Sequence, residues 1–194
     1  FPIILGHVLL GAPAAWAFAK FHFRGKKILY TLYIVLMLMP FQVTMVSSYL
    51  VLNKLGLIDT VWAVILPGAA STLPVFIMTR FFMDIPEAVM EAAAVDGASS
   101  FQTFLRFGLP LGAPGILSAV VLGFLEYWNA IEAPQAFLKN QALWPLSLYM
   151  SNITADNAGV SLIASLITLM PPLLIFLSGQ KYLEQGIISS GMKD

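Results

Sequence analysis

Residues 84–110 read DIPEAVMEAAAVDGASSFQTFLRFGLP, a stretch carrying Asp84, Glu87, Glu91 and Asp96 between two runs that are almost wholly apolar. Asp84-Ile85-Pro86-Glu87 has the pattern of a helix N-cap with a capping-box glutamate and a proline in the first turn, which predicts a helix start there. The helix passes through Met90-Glu91-Ala92-Ala93-Ala94 and stops at Asp96-Gly97, where glycine supplies a left-handed residue. Ser99 and Gln102 repeat the capping-box pattern and start a second helix through Phe101, Phe104 and Leu105, after which Leu109-Pro110 leads into the next apolar run. Residues 84–106 are therefore expected to form a helix-turn-helix hairpin. Its alanines let a partner surface approach the backbone, and Glu91 and Asp96 offer acceptors to it. The competing reading, an amphipathic connection adsorbed on lipid headgroups, is disfavoured because four acids face only Arg80 and Arg106 across an anionic leaflet.

On either side of this hairpin the chain is membrane-like. Hydrophobic residues make up 59% of the 194 positions and charged residues 10%, too few polar groups to cover a water-soluble globule of this size. Five stretches are long enough to cross a bilayer: Phe1 to Ala19, Ile28 to Leu50, Val61 to Phe82, Leu109 to Ile131, and Ala158 to Gln180. They contain Pro13, Pro40, Pro67, Pro74, Pro114, Pro171 and Pro172, and kinked helices are expected, since bundle neighbours can satisfy the freed carbonyls. Pro171-Pro172 should disrupt helical bonding. Gly11, Ala15 and Ala19 repeat every four positions and let another helix come close. The fold class is all-α, a polytopic transmembrane helical bundle forming one domain over 1–194.

Basic residues fix an expected orientation. Lys20, Arg24, Lys26, Lys27, Arg80, Arg106, Lys181 and Lys193 fall on one side and only Lys54 and Lys139 on the other. The positive-inside rule makes the first side cytoplasmic, with the C-terminus and the 84–106 hairpin, and puts the Asn53 to Thr60 turn and the Glu132 to Asn157 connection outside.

Several chemistries are excluded or disfavoured. A formal net charge of zero gives no general attraction to nucleic acid. The absence of cysteine removes disulfides and thiol chemistry, and His7 and His22 stand apart without a nearby carboxylate, so no metal site is expected. Gly25-Lys26 lacks the glycine before and the Ser/Thr after that a phosphate loop needs. No nucleophile elbow, zinc-protease helix or paired intramembrane carboxylates are present, and no catalytic residue is assigned.

Candidate substrate contacts gather at the end of the fourth span, where Glu126-Tyr127-Trp128-Asn129 combines a carboxylate, an amide and two aromatic rings. Sugars are held by hydrogen bonds to hydroxyls and by ring faces against C–H surfaces, which suits this group. Tyr127 and Trp128 also fit an interfacial aromatic belt, whereas a carboxylate within a span should face a cavity or a partner. Ser161, Ser165 and Thr168 share a face of the last span, and Gln42, Thr44, Ser47 and Ser48 cluster in the second. Either set could line a path, although interhelical hydrogen bonding is the commoner use of such residues.

Glu91-Ala92-Ala93, three residues, Gly97, nine residues, then Phe107-Gly108-Leu109-Pro110 resembles the EAA loop of ABC importer permeases, with Phe107 in place of the usual isoleucine. The Phe23-Arg24-Gly25-Lys26 turn, the Trp128-Asn129 pair and the Tyr182-Leu183-x-x-Gly186 tail are similar to the maltose-type permeases of carbohydrate importers. The likeness covers essentially the whole chain. That family usually has six spans, and the first has no counterpart here. The resemblance implies an all-helical permease of a bacterial or archaeal cell (inner) membrane, working with ABC ATPase subunits that hold the ATP, a second permease chain, an extracellular solute-binding protein and a sugar or oligosaccharide substrate. It further implies that Glu91, Ala92, Ala93, Asp96 and Gly97, with Leu109 and Pro110 behind them, receive the ATPase's closing motion. The nearest alternative is an ABC permease for another solute. An ion-coupled secondary transporter would need mid-membrane ionisable groups, of which Glu126 is the main one here.

Overall fold

The structure is a computed structural model, and it describes residues 1–151 and 158–191. Among the described residues the regular elements are helices, with no strand. Three helices are long and apolar enough to cross a membrane on their own: α1 (Pro2–Lys20), the run Trp62–Met83, and Leu162–Glu184 within the last helix. Two bent pairs bring the number to as many as five: α2 (Lys26–Leu38) with α3 (Phe41–Lys54), and α7 (Ser100–Leu111) with α8 (Ala113–Trp128). The five expected spans each have a counterpart if each bent pair is one span, the second, third and fourth in a different shape.

The first difference is in the second span, where α2 and α3 meet at 106° instead of continuing as one kinked helix. Met39 and Pro40 are both extended, at ψ 126° and 148°. A proline disfavours the helical region for the residue before it, and Met39 accordingly leaves the helix, its amide closing α2 on the Leu36 carbonyl at 3.3 Å. The third span is interrupted at Ala70–Ser71, which divides it into α4 (Trp62–Ala69) and α5 (Thr72–Met83). The fourth span begins earlier than expected. The second hairpin helix, α7, runs to Leu111 and passes through a 69° bend at Gly112 into α8, which ends at Trp128. Connections follow as α6 (Glu87–Val95) before α7, and α9 (Glu132–Phe137) and α10 (Leu146–Ser151) before the last helix, α11 (Ala158–Gly191).

That last helix corrects another expectation. α11 passes through Pro171 and Pro172 without a break. Pro172 cannot donate to the carbonyl of Thr168, one turn back. The Trp128 indole Nε1–H donates to that carbonyl instead, at 3.1 Å, so a neighbouring helix satisfies the acceptor and the helix continues.

The core lies where α1, α5 and α8 pack. Gly11 approaches α5 so closely that a Cβ there would stand 2.9 Å from the end of Met78, and Ala15 is fully buried, as the small-residue spacing predicted. Trp16 sits edge-on to Phe82, with centroids 5.3 Å apart, and 5.6 Å from Phe104, so α1, α5 and α7 share one aromatic cluster. α1 contains one π-helical turn, His7–Gly11, and a second such turn, Phe104–Gly108, lies in α7. Outside this core the helices are apolar on their surfaces, as Leu29, Leu32, Val43, Val46, Leu166 and Leu174 show, which suits a hydrocarbon solvent.

Loops expected on one side of the membrane share an end of the bundle. At one end the tip of α1 touches the start of the hairpin. At the other, the Asp59 carboxylate accepts from the amides of Lys139 and Asn140, both at 2.8 Å, and its own amide donates to the Phe137 carbonyl. Asp59 adopts φ 61° to make this clip. Lys193 and the 152–157 part of the outer connection lie outside the described residues.

Candidate functional site

The hairpin forms, with its start displaced by two residues. α5 runs on to Met83 and Asp84 is its C-cap, not an N-cap. Pro86, extended at ψ 142°, is the residue that leads into α6, and it offers no side-chain cap. An acid followed by x-Pro-Glu reads equally as the end of one helix or the start of the next, and the long apolar helix before it decides. The turn itself matches its reading. Gly97 has φ +78°, its amide donates to Ala94 O at 3.0 Å and the Ala98 amide to Ala93 O at 2.9 Å, a Schellman closure. Ser99 Oγ accepts from the Gln102 amide while the Gln102 side chain accepts from the Ser99 amide, completing the capping box.

The hairpin's exposed surface mixes acids and apolar groups. Glu91, Ala92, Asp96 and Gly97 are exposed, and beside them Val95 is 87% and Phe101 68% exposed. Two apolar side chains thus face outward from the most polar part of the chain. Val95 escaped sequence reading, because in one dimension it continues the alanine run. Ala93 is buried under α6, Leu109 packs on the core and Pro110 is exposed, so these three back the exposed residues or flank them.

Lys20 joins this hairpin to the spans. Its side chain is 2% exposed, its Nζ donates to Ile85 O at 2.5 Å, and it stands 3.6 Å from Glu87 Oε1. An ammonium taken out of water is thus held by the Ile85 carbonyl in the turn after α5 and by the acid that starts α6. Val89 and Met90 of α6 pack on the same core as Trp16 and Phe82. Sequence reading counted Lys20 only as a topology charge, since its partners lie 65 and 67 positions on.

At the other candidate site, Glu126-Tyr127-Trp128-Asn129 splits around α8. Tyr127 turns inward, 5.6 Å from the His7 ring, and its hydroxyl donates weakly to Gly68 O at 3.4 Å. Together with Thr44, Ser48, Ser71 and Thr72 it lines a cleft of about 280 Å³ between α3 and the interrupted third span. Trp128 and Asn129 line a different cleft, of about 350 Å³, with Ser147, Ser165 and Thr168 against α11. The Asn129 side-chain Nδ2 donates to Leu125 O at 2.8 Å. Glu126 is exposed on the bundle surface, lines neither cleft, and has no hydrogen-bond or ion-pair partner among the described residues. Ser161 lies in α11, with its side chain outside the described set. The structure therefore brings Trp128, Asn129 and Ser165 together, and Tyr127 with Thr44 and Ser48, but does not gather the whole set.

His7 is buried and its Nε2 lies 2.9 Å from Gly68 O. A carbonyl only accepts, so Nε2 carries the proton and donates to the end of α4. Among the described residues no three His, Cys, Asp or Glu side chains gather as a metal site would require.

Three comparisons bear on this arrangement. Residues 7–189 match the family described as binding-protein-dependent transport system inner membrane component. The arabinooligosaccharides transport system permease protein AraQ of Halalkalibacterium halodurans is 26% identical, over 98% of this chain and 70% of that one. A probable ABC transporter permease protein of Pyrococcus horikoshii is 33% identical, over 96% of this chain and 70% of its own length. In three dimensions, a bacterial ABC transporter involved in import of the acidic polysaccharide alginate superposes with a TM-score of 0.79 at 21% identity, covering 93% of this chain and 70% of that one, which establishes a common fold.

Proposed function

The chain belongs to the binding-protein-dependent transport system inner membrane component family, and from that membership we propose that it is the permease subunit of an ATP-driven importer for a neutral sugar or oligosaccharide, coupled to its ATPase through the 84–106 hairpin. The observation that carries the coupling is the hairpin's exposed face, where Glu91, Ala92, Val95, Asp96, Gly97 and Phe101 stand clear of the bundle. A basic or polar cleft on an ATPase finds acceptors in Glu91 and Asp96, and the apolar pair gives buried area on docking. Lys20 passes the movement inward. As the ATPases close, α6 is displaced, and the Ile85 carbonyl and Glu87 draw the end of α1 with it. ATP hydrolysis belongs to the ATPase subunits, a binding protein delivers substrate from outside, and a second permease chain completes the path. The C-terminus lies in the cytoplasm.

The test is uptake by vesicles that hold the reconstituted complex. Glu91→Ala is expected to leave insertion and folding intact while lowering substrate-stimulated ATP hydrolysis and uptake at least fivefold, because an exposed carboxylate contributes to docking and not to the fold. Unchanged uptake would remove the docking assignment. A second prediction concerns Glu126, whose exposed carboxylate faces either lipid or the second permease chain. A charge facing hydrocarbon costs about 2.5–3.5 kcal/mol at helix centre and less near a helix end, where Glu126 stands, and either cost favours the partner chain as its neighbour. Glu126→Gln is then expected to weaken co-purification of the two permeases or alter uptake, while retention of the ATPase is unaffected. If both properties match wild type, Glu126 has no part in the path or its assembly.

A further inference from the structure

Resting on the sugar-importer reading, we propose that the cleft between α3 and the break in the third span is a subsite for a single neutral sugar ring, with Thr44, Ser48, Ser71, Thr72 and Tyr127 as its hydrogen-bonding groups.

The break is the starting point. α4 rises about 12 Å and α5 about 18 Å, so the interruption at Ala70–Ser71 falls well inside the hydrocarbon thickness. Backbone without helical partners is tolerated at that depth only where protein buries it or where it lines a polar cavity. Both solutions occur here. The Gly68 carbonyl at the end of α4 is taken by His7 Nε2 and by the Ser71 amide. The Ala70 carbonyl has no helical donor, because the residue one turn on is Pro74, and Ala70 lines the cleft. The break therefore leaves non-helical backbone along the wall of the space.

The side chains around that space fit the same ligand. Five hydroxyls line it and no charged group does. Ser71 is the N-cap of α5 but makes no capping bond, and its hydroxyl pairs instead with that of Tyr127 across the cleft wall. Ser48 and Thr72 have no hydrogen-bond partner among the described residues, whereas Thr44 donates to Phe41 O at 3.1 Å and keeps its lone pairs. Such a lining offers donors and acceptors in equal kind, as a polyol does, and nothing to compensate a carboxylate or ammonium removed from water. The Phe41 and Tyr127 rings supply apolar faces for sugar C–H groups. At about 280 Å³ the space is at the small end of ligand sites, which limits it to one ring at a time.

The chain has no cysteine, so single reporter thiols can be placed without a background. Ser48→Cys and Thr72→Cys would be made separately in the reconstituted complex with its binding protein, with Ser147→Cys in the neighbouring cleft as a control. The probes are maltose, maltotriose and cellobiose, with a uronic-acid disaccharide as the charged comparison, and labelling is by N-ethylmaleimide. Both cleft thiols are expected to label, and a sugar that the wild-type complex transports should slow labelling at both by fivefold or more while Ser147→Cys is unaffected. Failure of either cleft thiol to label would overturn the proposal, since the cleft would then be closed to water. Labelling without protection by a transported sugar, or equal protection by the charged disaccharide, would overturn the subsite and leave the importer reading standing. If the wild-type complex transports none of the neutral sugars, both readings fall.

Discussion

Replacing Gly97 with valine should reduce uptake at least tenfold while the protein still inserts and the bundle remains folded. A Cβ at this position would meet nothing within 4 Å, so the effect does not come from a clash. It comes from φ +78°, a conformation that costs an L residue about 1–2 kcal/mol and a β-branched one more. The Schellman closure then opens, and α6 and α7 lose the angle that sets Glu91 and Asp96 beside Phe101. Asparagine tolerates the left-handed region, so Gly97→Asn should keep at least half of wild-type uptake. The pair is measured as uptake and substrate-stimulated ATP hydrolysis in vesicles, with helix content followed by circular dichroism. Equal uptake in the valine and asparagine variants would show that backbone geometry at the turn is not what coupling requires.

Lys20→Met carries the second large effect. Methionine keeps the apolar stem but removes the ammonium, leaving the buried Ile85 carbonyl without its donor. Removing a charge-assisted hydrogen bond at a buried acceptor costs about 1.5–3 kcal/mol, against little for an exposed control such as Lys27→Met. The expected results are a lower melting temperature of the purified complex and a fall in sugar transported per ATP hydrolysed. Lys20→Arg is expected to restore neither fully, because a planar fork cannot occupy the place of a point charge between one carbonyl and one carboxylate. A stable Lys20→Met complex with wild-type stoichiometry of transport would take Lys20 out of the coupling route.

What could be read from the sequence was what local chemistry determines. Gly97, Ser99 and Gln102 sit in a turn and a capping box whose partners are within a few residues, and both formed as expected. The spans followed from apolar length, and the close packing at Gly11 and Ala15 from spacing alone. Asp84 was misjudged because the same short pattern ends one helix or begins another, and only the stability of α5 decides between them. The prolines were visible, but not their consequences. Pro172 is absorbed where Trp128, 40 positions from the Thr168 carbonyl, donates to it, whereas at Pro40 the chain is extended and turns through 106°. The division of Glu126 to Asn129 between two clefts and the bundle surface, and the burial of Lys20, likewise depend on helices distant in sequence.

The π-helical turn at His7–Gly11 lets the first span carry one residue more than its packing requires. Such a turn absorbs an extra residue within one widened coil, whereas each α-helical residue advances the chain by about 100°. Deleting a single residue there would let the helix close as an ordinary coil with the segments before and after it still in register, while a deletion between Ala12 and Lys20 would rotate one against the other. His7 at one end meets the break in the third span, while Trp16 and Lys20 at the other meet the aromatic cluster and the hairpin. The turn is therefore the one place where α1 can lose a residue and keep both distant engagements in phase.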